Sequence, residues 1–182
     1  MRKLVLTMFI SLDGFINGPG GELIPPPFSA DLAGKWIGYN LGRFDMMVYG
    51  RACYEGMVDF WTSPAAPPEE AARLAAIEKI VLSRTLDRAD WGRARIMRGD
   101  IAGEFARLKQ MPGKDMAVIG GGRAATSLLA LGLIDEMRLL VTPMLFGGGT
   151  RLFEGGYPRT GLTLEGAEPL DNGSVLLTYR LG

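Results

Sequence analysis

Three short stretches of the chain place small residues beside an arginine and could together bind phosphate groups. Each stretch follows an apolar run: Gly120 to Arg123 after "MAVI", Gly50 and Arg51 after "MMVY", and Ser83 and Arg84 after "KIVL". Glycine lets an anion approach the backbone, and the amide N–H groups that begin a helix favour negative charge. Arginine matches phosphate geometry well. Any one of these arginines alone is more typical of a solvated surface, but the three stretches together favour a phosphorylated nucleotide.

The first of these stretches nearly matches the glycine pattern of dinucleotide-binding sites, with Gly120, Gly122 and Ala125 in the pattern positions. That pattern belongs to the first strand–helix turn and needs an acidic residue about 20 residues further on, at the end of the next strand. Here the stretch lies late in the chain, and Asp135 and Glu136 come at the start of the next predicted strand instead of at its end. The sequence therefore argues against a Rossmann site, and a plain tight turn is the alternative interpretation.

Composition excludes several classes of chemistry. The chain has 182 residues, no histidine and one cysteine, Cys53. A Ser-His-Asp triad, a histidine metal site and an internal disulfide are therefore excluded, and no metal is predicted. The formal net charge is zero, which does not favour nucleic acid as a partner. No apolar run is long enough to cross a membrane. The single cysteine fits a reducing, cytoplasmic setting. The chemistry that remains is that of carboxylates, hydroxyls, lysine and arginine, or of a cofactor that brings its own reactivity.

The elements that must position these stretches are apolar strands that alternate with helical segments. A β-hairpin around Asp171, Asn172 and Gly173 closes the chain. The predicted strands are 4–12, 45–50, 78–83, 116–120, 136–145, 162–170 and 174–181, and the predicted helices are 28–44, 51–61, 68–77, 123–131 and one that begins after Asp100. This order predicts a single α/β domain over residues 1–182, with a mostly parallel sheet and an antiparallel edge. The carboxyl ends of parallel strands share one edge, where ligands bind.

Four segments together resemble the dihydrofolate reductase-like superfamily: "SLDGFI", "YGRACYEGM", "KIVLSRTL" and "VIGGGRAATSLLALGLIDEMRLLVTPMLFGGGTRLF". They are most similar to the C-terminal reductase domain of the bifunctional riboflavin-biosynthesis deaminase-reductase. The resemblance covers nearly the whole chain in order. It implies a dihydrofolate reductase-like three-layer αβα sandwich with an eight-stranded, mostly parallel central sheet and an antiparallel C-terminal hairpin, NADPH as hydride donor, and a homodimer. A deaminase half would need zinc ligands that this chain lacks, so the resemblance implies a stand-alone reductase domain.

The resemblance also implies which residues would contact NADPH. Cys53 stands where such reductases commonly have threonine, so a hydroxyl contact to the phosphate is lost there. The expected contacts are Gly50, Arg51, Ala52 and Cys53 for the pyrophosphate region, Ser83 and Arg84 for the 2′-phosphate, Gly120, Gly121, Gly122, Arg123 and Ala124 for the diphosphate, and Thr7, Met8 and Ile16 for the nicotinamide.

Substrate contacts and a proton donor are harder to identify. The resemblance favours Asp31 as a catalytic acid and substrate contact, but Asp31 also lies four residues before Lys35 and could be a plain surface pair. Trp36 could line a site for a flat ring, or simply pack in the core. Arg151 could bind a substrate phosphate. Asp13 in "SLDG" is expected to hydrogen-bond its own turn and not to do chemistry.

These observations support three hypotheses. The first is an NADPH-dependent reductase that transfers hydride to a flat heterocycle, either a pyrimidine ribosyl-phosphate of the riboflavin-synthesis type or a pterin of the dihydrofolate type. The second is an NADP-binding homodimeric protein of the same fold without efficient reductase activity. The third is a small homodimeric scaffold with an empty cleft.

Overall fold

Eight strands form one sheet in the computed structural model, which describes residues 1–182. The strands are β1 (Leu4–Ser11), β2 (Phe44–Gly50), β3 (Glu78–Leu82), β4 (Ala94–Met97), β5 (Asp115–Val118), β6 (Glu136–Thr142), β7 (Leu162–Pro169) and β8 (Val175–Leu181). The helices are a π-helical segment (Leu32–Gly38) that continues into α1 (Tyr39–Arg43), then α2 (Arg51–Trp61), α3 (Pro68–Ala76), α4 (Ile101–Gln110) and α5 (Gly122–Ala130). None of the helices has the length and apolar character needed to cross a membrane.

The sheet has the strand order β4-β3-β2-β5-β1-β6-β8-β7, in which β1 to β6 are parallel and β8 runs antiparallel to both of its neighbours. The predicted three-layer αβα sandwich with an antiparallel C-terminal hairpin is thereby confirmed. The hydrophobic pattern missed β4, because this edge strand has four residues and carries the exposed Arg95. Strand β6 ends at Thr142, earlier than predicted, since Pro143 has no N–H to continue the ladder.

The helices lie on both faces of the sheet. On one face, Phe105 of α4 and Leu128 of α5 pack with Leu4 and Leu6 of β1 in the largest apolar cluster. On the other face, which we call the groove face, two separate clusters form. Tyr54 of α2 packs on β2 and β3, whereas the π-helical segment packs on β6 and β8.

On this face, β5 and β1 lie between the two strand pairs that the helices cover, and we call the strip between those pairs the groove. Strand side chains alternate between faces. The groove floor is therefore formed by alternate residues of the two central strands and the residue that follows β5, namely Val5, Thr7, Phe9, Ala117 and Ile119.

Arg138 accounts for the π-helical turns beside this groove. Its buried guanidinium donates to the backbone carbonyl of Lys35 at 2.7 Å and to Oδ1 of Asn40 at 3.1 Å, and stacks 3.7 Å from the ring centroid of Tyr39. A side chain that takes a helical carbonyl loosens the hydrogen-bond ladder of the helix. The helix widens accordingly, and Tyr39 N–H bonds the carbonyl of Gly34, five residues earlier.

The amino ends of the strands are closed by ion pairs. Arg43 binds the nearly buried carboxylate of Glu136 through two hydrogen bonds, of 2.5 and 2.8 Å, and pairs with Asp115 at 2.9 Å. Lys3 donates to Glu136 at 3.1 Å, and Arg2 pairs with Asp45. A surface depression of about 670 Å³ lies at this edge. Its charged groups already bind one another, so it is a structural region and not the candidate site.

Candidate functional site

The three glycine- or serine-arginine stretches lie along one edge of the sheet. Strands β3, β2 and β5 are consecutive neighbours, and their carboxyl ends are Leu82, Gly50 and Val118. The residues that follow them therefore face the same region of solvent, as parallel pairing predicts.

Two helix N-termini meet at this edge. Gly50 precedes α2 and Gly121 precedes α5, and neither helix has a side-chain cap. A Cβ added to Gly50 would lie 3.3 Å from Cβ of Ala124 and 4.0 Å from Cα of Gly121, so the two ends nearly touch. Gly120 and Gly121 have φ of +75° and +87°, a conformation that favours glycine. Uncapped amides from two helices and their aligned dipoles suit an anion with more than one phosphate group.

The arginines at this edge differ in their freedom to bind a ligand. Arg84 and Arg123 are exposed and form no ion pair or side-chain hydrogen bond. Arg51 donates to Glu55 at 2.8 Å and to Thr85 Oγ1 at 2.9 Å. The predicted contact Ser83 uses its hydroxyl inside its own turn, where it accepts from the amides of Thr85 and Leu86.

The sequence reasoning missed Arg98, which follows the unpredicted strand β4. Its guanidinium donates to the carbonyl of Ser83 at 3.3 Å and to that of Leu86. Arg98 thus holds the turn that carries Arg84. Only the recognition of β4 would have placed it at this edge.

Cys53 lies directly beneath the glycine turn. Its thiol donates to the carbonyl of Ile119 at 3.4 Å, and a Cβ on Gly120 would collide with its sulfur. Burial raises the pKa of the Cys53 thiol to about 11. The residue acts as a small packing group, and its backbone N–H remains one of the uncapped amides of α2.

Strand β1 has no partner on the β5 side beyond Leu6, because β5 ends at Val118 and the chain then enters the glycine turn. It pairs with β5 over Leu4–Leu6 but with β6 over Val5–Ser11. The carbonyl of Lys3 accepts from β5 and that of Leu4 accepts from the β6 side, so the peptide groups of odd-numbered residues face β5. The peptide groups of Phe9 therefore border the gap without a strand partner, a feature that sequence reasoning did not identify.

The predicted nicotinamide residues lie on different sides of the sheet. Met8 lies on the face opposite the groove, where its sulfur accepts from Gly120 N–H at 2.7 Å, and the buried Ile16 packs in the same apolar cluster. Thr7 is buried on the groove face, and its hydroxyl has no hydrogen-bond partner. Thr7 and Met8 thus lie on opposite faces of β1, and the contact of these three residues with the nicotinamide stays a prediction.

The candidate acid Asp31 lies at the C-terminal hairpin. Its carboxylate accepts from the backbone N–H of Asp171 at 3.1 Å and pairs with Lys35 at 3.0 Å, and Lys35 also pairs with Glu168. The hairpin strand β8 is two positions from β1 in the sheet. The carboxylate is therefore engaged away from the gap, and its catalytic role stays a prediction.

Trp36 is buried among Leu32, Leu140 and Leu176 and borders Phe9, which matches the packing interpretation, and its contact with substrate also stays a prediction.

Asp13 joins two glycine-rich loops and does more than hold its own turn. Its carboxylate accepts from the amides of Phe146 at 3.0 Å and Gly147 at 2.8 Å. Hydrogen bonds from the Ser11 hydroxyl and from these amides lower the pKa of Asp13 to about 2. Arg151 reaches the Asp13 carbonyl at 3.4 Å, and its own carbonyl lies against Gly122. The joined loops therefore contact the beginning of α5, and substrate binding by Arg151 stays a prediction.

Comparisons with known proteins agree with this geometry. The model of the RibD C-terminal domain family matches residues 2–176. The uncharacterized protein YyaP of Bacillus subtilis (strain 168) is 30% identical over 183 residues, which cover 98% of this chain and 94% of that protein.

Three solved structures share the fold. A protein of Shewanella sp. PV-4 that is named for riboflavin biosynthesis is 23% identical, with a TM-score of 0.80 over 100% of this chain and 99% of that one. A pyrimidine reductase-like protein of Corynebacterium diphtheriae is 16% identical, with a TM-score of 0.67 over 100% and 92%. The dihydrofolate reductase of Enterococcus faecalis, solved with NADP(H), is 19% identical, with a TM-score of 0.63 over 99% and 96%.

Proposed function

The chain belongs to the RibD C-terminal domain family, and from this premise we propose that it is an NADPH-dependent reductase of a flat heterocycle. The substrate would be a pyrimidine ribosyl-phosphate of the riboflavin-synthesis type or a pterin of the dihydrofolate type. The single observation that carries the proposal is the junction of two uncapped helix N-termini beside the unpaired edge of β1. That its setting is cytoplasmic stays an expectation from the cysteine content.

The residues at this edge fit NADPH. Gly50 and Gly121 keep the two helix ends open to a diphosphate, and Arg123 adds charge beside it. The exposed Arg84 would bind the 2′-phosphate, which distinguishes NADPH from NADH. The peptide groups of Phe9 would bind the carboxamide of the nicotinamide, because they offer a donor and an acceptor on one strand edge. When bound, NADPH supplies the hydride.

The protein's own contribution would be binding and orientation. The split between β1 and β5 opens onto the groove, so a ring in the groove would lie against the cofactor edge. The floor side chains include no acid, since they are Val5, Thr7, Phe9, Ala117 and Ile119. A proton would therefore come from water admitted to the groove or from Asp31.

The second candidate function is an NADP-binding protein of the same fold without efficient reductase activity. It is favoured by the engagement of the Asp31 carboxylate with Lys35 and the hairpin. Single-turnover loss of nicotinamide absorbance, with dihydrofolate and with the aminopyrimidine ribosyl-phosphate as substrates, separates the two functions. Cofactor binding without turnover of either substrate would favour the binding protein.

We expect the Arg84→Ala variant to bind NADPH about tenfold to a hundredfold more weakly, because a charge-assisted hydrogen bond to the 2′-phosphate is lost. NADH affinity should change little. Fluorescence titration with each nucleotide measures both affinities, and Arg73→Ala, at an exposed position of α3, is the control. Equal losses for NADPH and NADH would contradict the assignment of Arg84, and no NADPH binding by the unaltered protein would contradict the function.

We also propose a homodimer. On the face that carries α4 and α5, the hairpin strands present Leu162, Leu164, Leu177, Tyr179 and Leu181, which we call the hairpin face. Leu162 and Leu164 are 45% and 54% exposed. An uncovered apolar sheet face of this kind is typical of a protein–protein interface, and a second copy would cover it.

The Leu164→Glu variant should be monomeric, because the introduced carboxylate would be buried without a partner in the dimer. Leu131→Glu, at an exposed position after α5, serves as the control and should remain dimeric. Light scattering after size-exclusion chromatography gives the mass. A monomeric unaltered protein, or a dimeric Leu164→Glu variant, would refute the proposed interface.

A further inference from the structure

The turn that carries Arg84 is held in one shape by side chains of the protein itself. Within the turn, the hydroxyl oxygen of Ser83 accepts from the backbone amides of Thr85 at 3.2 Å and Leu86 at 2.9 Å. A serine that binds the amides shortly after it stabilises a turn locally. Arg51 donates to Oγ1 of Thr85 at 2.9 Å and thereby joins the turn to the start of α2.

Arg98 fixes the same turn through its carbonyl groups. Its Nε donates to the carbonyl of Ser83 at 3.3 Å, and its Nη2 donates to the carbonyl of Leu86. Because a guanidinium is planar and presents its donors in a rigid fork, one side chain fixes the two carbonyls relative to each other. The backbone of Arg98 is itself well anchored, since the preceding Met97 is buried and pairs with Leu82 of β3.

Arg84 lies between these two carbonyls and is the part of the turn that remains free. Its side chain is exposed and pairs with no carboxylate. Ordering a mobile segment when a ligand binds costs affinity, and a segment that is already held avoids much of this cost. The contacts of Arg98 therefore matter for any anion that Arg84 binds, although they are made to the backbone.

From these contacts we infer that Arg98 is a positioning residue for the 2′-phosphate of NADPH. It acts through the carbonyls of Ser83 and Leu86, which set the direction in which Arg84 leaves the turn. Arg98 thereby contributes to the preference for NADPH over NADH without binding the phosphate. The inference deepens the proposed function, on which it rests for the identity of the cofactor.

A double-mutant cycle tests whether Arg98 acts through Arg84. Fluorescence titration with NADPH and with NADH is carried out on the unaltered chain, Arg84→Ala, Arg98→Ala and the double variant. We expect Arg98→Ala to bind NADPH about threefold to tenfold more weakly, with unchanged NADH affinity. In the Arg84→Ala background it should cause no further loss, because the side chain that it positions is absent. Additive losses would show that Arg98 binds the phosphate itself and would overturn the inference.

Two further measurements separate positioning from charge and from general stability. Arg95→Ala removes another exposed arginine, from β4, and should retain the NADPH affinity. In the cofactor-free protein, the amides of Thr85 and Leu86 should exchange hydrogen faster in Arg98→Ala than in the unaltered chain, as NMR can follow. Unchanged exchange, an equal loss of NADPH affinity in Arg95→Ala, or equal losses of NADPH and NADH affinity in Arg98→Ala would each overturn the inference.

Failure of the proposed function gives a different result. Absence of NADPH binding by the unaltered chain would overturn the proposed function and the inference with it. An unaltered chain that binds NADPH, together with an Arg98→Ala variant of the same NADPH affinity, would overturn the inference alone.

Discussion

Replacement of Gly121 by valine is expected to weaken NADPH binding by roughly a hundredfold or more while the sheet stays folded. The new side chain would stand at the junction of α2 and α5, 3.6 Å from Cα of Gly50 and 3.7 Å from Cβ of Ala124. A diphosphate could then no longer approach the uncapped amides, and each lost charge-assisted hydrogen bond is worth about 1.5–3 kcal/mol. Fluorescence titration with NADPH measures the loss.

A matched variant separates this effect from backbone strain. Gly99 also has positive φ, +80°, but an added Cβ there would meet no atom within 4 Å. Valine at either position should destabilise the fold by about 1–3 kcal/mol through its unfavourable φ. Only the Gly121→Val variant should show a weaker affinity for NADPH. Unchanged affinity in that variant, or an equal loss in Gly99→Val, would show that the phosphate site lies elsewhere.

The Arg43→Met variant should have the largest effect on stability. It would leave the carboxylate of Glu136, whose side chain is 5% exposed, without its main partner. Removal of one member of a buried ion pair costs about 3–5 kcal/mol. Urea unfolding, followed by circular dichroism, measures the free energy. Arg93→Met, which breaks an exposed pair with Glu78, should cost less than about 1 kcal/mol.

The same pair gives the unfolding free energy a defined pH dependence. Burial raises the pKa of Glu136, but hydrogen bonds from Arg43 and Lys3 outweigh it and lower the pKa below the ordinary value of 4.5. The contribution of Glu136 is thus fully present above that value and is lost as the pH falls through the lowered pKa. In Arg43→Met only Lys3 opposes the effect of burial on this pKa, so the loss of stability that Glu136 contributes on acidification should be smaller. Parallel pH profiles of the two proteins would refute the role of this pair.

The sequence predicted the parts of the fold that depend on local pattern. Apolar runs ending in glycine or serine located β2, β3 and β5, and parallel pairing then placed Gly50, Ser83 and Gly120 at one edge. Strand β4 was not predicted from the sequence, because it is short and lies at the edge of the sheet.

Other features depend on partners that are distant along the chain, and no local pattern reports them. The π-helical turns require Arg138, about a hundred residues after the helix, and the engagement of Asp31 requires the hairpin residue Asp171. The free edge of β1 is a matter of strand register, which only the assembled sheet defines. The lack of a partner for the Thr7 hydroxyl could likewise not be predicted from the sequence, since the neighbours of Thr7 come from β5 and β6.

The central position of β1 has a consequence for the order in which the molecule can assemble. Both neighbours of this first strand come late in the chain, from Asp115 onward. During synthesis, the apolar segment Leu4–Ser11 therefore remains without its strand partners until more than half of the protein has left the ribosome. Such long-range pairing slows folding and exposes a strand that can associate with other chains. The edge at which the cofactor would bind is thus among the last regions to form, and chains truncated before β5 cannot form it.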